Sequence, residues 1–372
     1  MVAHLTPTLC PLLIVKVGSS LLVEGDGTVR REWLQTLVAD IAARHRAGQK
    51  IAIVSSGAIA LGARRLGFEK GGRASLADAQ ASASVGQILL SGLWAELLAA
   101  EGMTAAQILV TLDDLEDRRR YLNITATLDR LLGAGAVPVI NENDSVATAE
   151  IRFGDNDRLA ARVAQAAGAQ GVVLLSDVDG LYDRDPRDPE AQLVSEVATI
   201  DGKIRLMVTG GSSSGMGSGG MASKIDAADI ATRAGIGLSI ASGLRPHPLS
   251  ALDNGAPSTW FAPRPGGSAR KGWIGGRLSV KGQIIIDAGA AKALRSGASL
   301  LPAGAVSVSG EFRRGDVVDI VSKDGETLAR GLSEYDADDA KLICGRQSAE
   351  LETLLGAVPR TVLVHRDQMV LL

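Results

Sequence analysis

Short apolar runs of strand length alternate with segments of helical spacing, and this alternation constrains the fold more than any other feature. Residues 12–17, 51–54, 105–110, 137–140, 172–175 and 237–240 form the apolar runs. A continuous apolar run suits a strand covered on both faces. Between the first two, residues 29–47 place Val29, Trp33, Leu34, Leu37, Val38 and Ile41 at helical spacing, with Gly48 at the expected C′ position. Helical stretches are also expected near 75–100, 121–133, 157–167 and 223–234. The fold class expected is α/β, a mostly parallel sheet sandwiched by helices. Ligands of such sheets bind beyond the carboxyl ends of the strands, so the loops that follow strands carry the functional reading.

The pattern changes near residue 260. Residues 262–277 (APRPGGSARKGWIGGR) are rich in Gly and Pro, with four basic side chains and no acidic one. That is the composition of a linker or exposed loop. Short alternating strands and tight turns follow, the pattern of a small β-rich domain of about 90 residues. The boundaries expected are a first domain over 1–262, a linker over 263–277 and a second domain over 278–372.

Composition excludes several classes. The net charge of −3 over 372 residues does not suit a chain built throughout for nucleic acid or anionic membrane. Two distant cysteines, Cys10 and Cys344, exclude a disulfide framework and a multi-cysteine zinc site, suit a reducing compartment, and read as buried small residues. His4, His45, His247 and His365 show no metal spacing. There is no uninterrupted apolar run of about 18 residues, and the first residues lack a signal-peptide pattern. The expectation is a cytoplasmic enzyme with no membrane partner.

Five loops could carry chemistry. Lys16, Gly18 and Ser19 end the first strand; they read as a phosphate cradle with a fixed cation, or as a tight turn with an exposed lysine. Ser56 and Gly57 follow the second strand and suit an anion, although spacing alone favours Ser56 as an N-cap. Residues 141–145 (NENDS) and 154–157 (GDND) concentrate carboxylates and amides, suited to a polar substrate bearing an ammonium, or to a hard cation such as Mg²⁺. Ser176, Asp177 and the turn-rich residues after them could hold a nucleotide's base and ribose, or merely turn the chain. Residues 215–224 (GMGSGGMASK) run into a helix expected to carry Lys224 in its first turn. A lysine there opposes the helix dipole unless an anion is bound; a flexible linker is the competing reading. Walker, dinucleotide-fold and serine-hydrolase signatures are absent.

Together, VKVGSS, VSSGAIALG, INENDSVATAEIRFGDNDRLAA, SDVDGLYDRDPR and GMGSGGMASKIDAADIATRAGI, with SLLPAGAVSVSGEFRRGDVV and a terminal VHRDQM, resemble the glutamate 5-kinase family of the amino-acid kinase superfamily, fused to a C-terminal PUA domain. The likeness spans nearly the whole chain. It implies an amino-acid kinase domain over 1–262 and a PUA domain over 278–372. It also implies transfer of a phosphoryl group from ATP, with Mg²⁺, to the γ-carboxylate of L-glutamate, the first step of proline synthesis. Lys16, Lys224 and Asp157 would be catalytic, with Asp157 holding the lysines. Ser56, Asp144, Asp155 and Asn156 would seat glutamate. Lys16, Gly18, Ser19, Ser176, Asp177, Ser218, Gly219, Gly220, Met221, Ala222, Ser223 and Lys224 would bind ATP. The resemblance further implies inhibition by proline, a homo-oligomer (dimer or tetramer) and the next reductase as a partner. Aspartate or N-acetylglutamate as acceptor, an amino-acid sensor, and an RNA-binding protein remain the alternatives. Residues 276–372 hold 12 basic and 13 acidic residues, which argues against RNA.

Overall fold

β1 (Leu12–Val17) is buried along its whole length at the centre of a sheet. In the computed structural model, residues 3–24, 28–146, 155–209, 218–265, 280–347, 350–356 and 361–372 are described; for Arg118, Arg119, Asp155, Thr209, Ser218, Gly219 and Asp367 this extends to the backbone alone. The remaining strands of the first sheet are β2 (Lys50–Ser55), β3 (Ala105–Val110), β4 (Val137–Glu142), β5 (Gly171–Ser176), β6 (Glu196–Val197), β7 (Gly237–Ser242) and β8 (Ser258–Phe261). The helices are α1 (Ser19–Leu22), α2 (Arg31–Arg46), α3 (Ala58–Leu66), α4 (Leu76–Ala100), α5 (Leu112–Glu116), α6 (Arg118–Gly133), α7 (Asp155–Ala167), α8 (Gly202–Thr209), α9 (Ser218–Arg233) and α10 (Pro248–Asp253).

The eight strands run in the order β3-β4-β2-β1-β5-β7-β8-β6. All neighbours are parallel except β7 and β8. Alternation along β1 divides the core. Leu12 and Ile14 face one apolar layer with Leu159, Val163 and Ala228, while Leu13, Val15 and Val17 face the other with Leu37, Ile41 and Trp94. Both faces are therefore covered, as the apolar runs require. Lys16 stands level with Val54 of β2 and Leu174 of β5, and Val54 stands level with Ile140 of β4. The carboxyl ends of β1, β2, β4 and β5 thus align. The chain leaves β1 toward β2 and leaves β5 toward β7, so the crevice between β1 and β5 is a topological switch point.

Two sequence expectations are corrected here. α9 begins at Ser218, so Lys224 lies in its second turn and does not face the unsatisfied N–H groups of the first. α4 is long and apolar enough to cross a membrane by length and composition, although no such segment was expected. In the structure it is a packing helix: Leu90, Trp94, Leu97 and Leu98 are buried in the core beside the sheet. It meets α3 backbone to backbone. A Cβ on Gly62 would lie 1.8 Å from the Ser82 carbonyl oxygen, and one on Gly86 would lie 1.7 Å from that of Ala58.

The chain divides into two compact units, Met1–Gly267 and Ser268–Leu372. Of the linker expected over 263–277, residues 266–277 lie outside the described residues. The second unit contains β9 (Gly282–Ile286), β10 (Ala305–Gly310), β11 (Val317–Ser322), β12 (Thr327–Ser333) and β13 (Val364–Leu371). They form a five-stranded sheet, β10-β9-β11-β12-β13, over its own core of Ile284, Ile286, Val318, Ile320, Leu294 and Ile343.

Candidate active site

Lys16 is the one charged residue in the apolar run of β1, and it is only 6% exposed. A buried ammonium needs an anionic partner. Asp157, in the first turn of α7 and fully buried, supplies it: Lys16 Nζ lies 2.5 Å from Asp157 Oδ1. Lys224 Nζ lies 3.0 Å from Asp157 Oδ2. The two lysines and one carboxylate therefore leave one net positive charge in a nearly dry place. Burial depresses the pKa of Lys16, more than the attraction of Asp157 offsets, and Lys224 adds repulsion. Burial pushes the Asp157 carboxyl up, but Lys16 and Lys224 together hold it below the usual carboxylate range.

This triad forms part of the wall of a cavity of about 640 Å³ at the carboxyl ends of the central strands. Gly18, Ser19, Ser176, Asp177 and Gly220 line the wall beside the lysines. A Cβ at Gly18 would sit 3.7 Å from Lys16 Nζ, in the space before the ammonium. Ser176 donates from Oγ to Asp177 Oδ1 at 3.0 Å. An exposed tight-turn lysine is thus excluded at position 16.

Ser56, Asn141, Asp144 and Asn156 line the same cavity. Ser56 is not an N-cap. Gly57, with φ 112°, occupies that position, and α3 has no side-chain cap. The Ser56 hydroxyl instead accepts from Asn156 Nδ2 at 2.6 Å. Asn156 Nδ2 also donates to Asn141 Oδ1 at 3.1 Å, leaving Asn156 Oδ1 buried with no hydrogen-bond partner among the described residues. Trp94 Nε1 donates to Ser55 Oγ at 2.9 Å and braces the end of β2. Lys70 and Arg73 also line the cavity, from a turn with Lys70, Gly71 and Gly72 all at positive φ. The pKa of Arg73 is lowered by burial and partly restored by Asp144.

Sequence reasoning did not single out Gln87, Trp94, Lys70 or Arg73. The KGGR text at 70–73 is the one signal that could have marked the turn. Conversely, Met221, Ala222 and Ser223 are not among the lining residues; Met221 packs against the core. Gly154 and 215–217 lie outside the described residues, as do the side chains of Asp155 and Ser218. The residues after Asp177 turn away: Arg184 and Arg187 pair with Asp188, Glu190 and Asp185 on the surface. Cys10 is buried, and burial pushes its thiol up to about 12 against the opposing pull of Arg44. Cys344, expected to be buried, is only partly so.

The cavity therefore joins the Lys16–Lys224 wall to an end of amides, a hydroxyl and Asp144, with Lys70 and Arg73 also in its lining. Such a site can bring an anionic donor and a zwitterionic acceptor together. Among the described residues no cluster of three acidic, His or Cys side chains could hold a metal.

The amino acid kinase family profile matches residues 11–242, and the PUA domain profile matches 282–355. The chain is 64% identical over 363 residues to a protein named glutamate 5-kinase from Novosphingobium aromaticivorans, covering 98% of this chain and 96% of the relative. A protein of the same name from Sphingopyxis alaskensis is 63% identical, covering 98% and 99%. A third, from Zymomonas mobilis, is 60% identical, covering 98% and 92%.

Proposed function

The chain belongs to the amino acid kinase family, and from that premise we propose that it transfers the γ-phosphoryl group of ATP to the γ-carboxylate of L-glutamate, giving L-glutamyl 5-phosphate and ADP. The observation that carries this reading is the buried Lys16–Asp157–Lys224 triad in one wall of the cavity that also holds Asn156 and Asp144.

A carboxylate is ionised near pH 7 and is already a nucleophile, so no strong general base is required. The obstacle is repulsion between two anions. Lys16 and Lys224 offset it by neutralising charge on the transferring phosphoryl group, and Asp157 fixes both ammonium groups in place. Gly18, Ser19, Ser176, Asp177 and Gly220 form the wall for the nucleotide, with residues 218–224 contributing the start of α9. Asp144 and Asn156 suit the substrate ammonium, and Ser56 lines the same end, to which the family resemblance adds Asp155. Mg²⁺ would arrive with the nucleotide, held mainly by phosphate oxygens, and would offset charge on the β and γ phosphates. The carboxylate oxygen forms the new P–O bond as the bond to ADP breaks, so no covalent enzyme intermediate is needed.

The product is a labile acyl phosphate, which favours a reductase as the next enzyme in proline synthesis. Proline carries the same α-carboxylate and an α-ammonium, and competition at the glutamate end would make it an inhibitor. A cytoplasmic homo-oligomer, dimer or tetramer, belongs to the same reading.

The test is ADP release from MgATP with L-glutamate, L-aspartate or N-acetyl-L-glutamate, with hydroxylamine present to trap acyl phosphate. Glutamate-dependent hydroxamate that disappears in Lys224→Ala is the expected result. Turnover with another acceptor alone would overturn the substrate, and no turnover with any would overturn the reaction.

A further inference from the structure

A strained turn forms part of the cavity wall. Lys70, Gly71 and Gly72 follow one another at φ 51°, 60° and 73°, a left-handed turn. Glycine adopts that conformation at no steric cost, whereas a residue with a Cβ is strained by it. The turn is seated between α3 and α4: a Cβ on Gly72 would lie 2.3 Å from Ser82 Oγ and 2.8 Å from the Ala63 Cβ. A lysine nevertheless holds the strained position, and it lines the cavity, as does Arg73 just beyond the turn. Strain kept in the wall of a site points to a function of the residues it places there.

The turn changes the charge of the acceptor end. Glu142 and Asp144 line the cavity together with Lys70 and Arg73, two carboxylates against two cations. Asp144 attracts the Arg73 guanidinium. A guanidinium has five N–H donors, and one carboxylate takes two of them in a fork, so Arg73 can hold Asp144 and a second carboxylate together. Arg73 keeps exposed surface while lining the cavity, so it stands where a substrate can reach it. An arginine beside an aspartate mirrors the head of an α-amino acid: the aspartate matches the α-ammonium, and the arginine matches the α-carboxylate. Balanced charge suits that neutral head, and the net positive charge of the lysine triad is left for the anions that react.

We infer that Arg73, carried by the left-handed turn at Lys70, binds the substrate's α-carboxylate and so selects an acceptor with a free α-carboxylate over its α-amide. Lys70 adds a second positive charge from the same turn. This rests on the reading of that end of the cavity as the seat of glutamate. Without Arg73, Asp144 still attracts an α-ammonium, so loss of the arginine weakens only acceptors that carry the α-carboxylate.

The full-length protein is compared with Arg73→Gln on two acceptors, L-glutamate and its α-carboxamide, L-isoglutamine, which keeps the α-ammonium and the γ-carboxylate. Hydroxamate formation gives kcat/KM for each. The parent is expected to favour glutamate at least about tenfold, as one charge-assisted hydrogen bond allows. Arg73→Gln is expected to lower kcat/KM for glutamate about tenfold through KM, to leave that for isoglutamine within about threefold, and to leave the KM for ATP within about twofold. A parent without the preference, an unchanged glutamate KM in Arg73→Gln, an equal loss with both acceptors, a preference that survives the substitution, or a parallel rise in the KM for ATP overturns the inference. Should Arg73→Gln fail to fold, Arg73→Lys replaces it. A lysine keeps the charge and loses the fork, so the preference narrows about threefold, and an unchanged preference overturns the inference equally. A parent protein that forms no glutamate hydroxamate would instead overturn the functional reading and this inference with it.

Discussion

At the scale of single residues, charge placement matters most. Asp157 is the shared counter-ion of two buried lysines, and removing it leaves two unpaired cations. Asp157→Asn is therefore expected to lower unfolding stability by about 3 kcal/mol, read from the urea midpoint, and to reduce kcat at least about tenfold. A variant with the parental midpoint would show that the lysines need no fixed anion. The lowered pKa of Lys16 gives a pH expectation with a definite sign. Its charge is needed to receive ATP and is lost as pH rises through a pKa below the ordinary lysine value of 10.5. Asp157 stays ionised to below its ordinary 3.8. The kcat/KM for ATP, which reports the free enzyme, should accordingly decline on the alkaline side before pH 10.5. A flat profile to that pH would contradict it. Lys16 was legible as a candidate because a lysine interrupts an apolar strand; Asp157 was named as its partner only through the family resemblance, because spacing alone leaves it one of several carboxylates in its stretch of sequence.

At the scale of elements, the contact of α3 with α4 fixes the first turn of α3, which lines the site. Gly86 permits it, since any Cβ there would meet the Ala58 carbonyl at 1.7 Å. Gly86→Ala should push the first turn of α3 and Ser56 away from Asn156, costing about 2 kcal/mol and raising the KM for glutamate. Gly92 of the same helix has nothing within 4 Å of a Cβ. Gly92→Ala should stabilise by roughly 0.5–1 kcal/mol with kinetics unchanged. Thermal melts and glutamate titrations on both variants check the contrast; equal effects would mean that the close approach does not shape the site. The sequence shows α4 only as a helical stretch near 75–100. Nothing in it marks Gln87 as different from Gln80, because Asn141, whose amide donates to Gln87, lies on a distant strand.

At the scale of the whole molecule, every residue lining the cavity belongs to the unit Met1–Gly267. The second unit has a separate sheet and core. A chain ending at Gly267 is expected to fold and to retain glutamate-dependent ADP release. Loss of all turnover in a truncated chain that still melts cooperatively would show that catalysis depends on residues 268–372.

Local chemistry alone determined the strands, most of the helices, and the loops where ligands could bind. Apolar runs fit only a sheet covered on both faces, and glycine and polar residues directly after them mark strand ends. Only the tertiary structure decided which of those polar residues meet. It brought Lys16, Asp157 and Lys224 to one point from β1, α7 and α9. It turned Ser56 from a helix cap into an acceptor for Asn156, and it set Lys224 in a second helical turn against an aspartate. Ion pairs and amide orientation depend on distances of a few ångströms between segments far apart in the chain, and no local pattern encodes those distances.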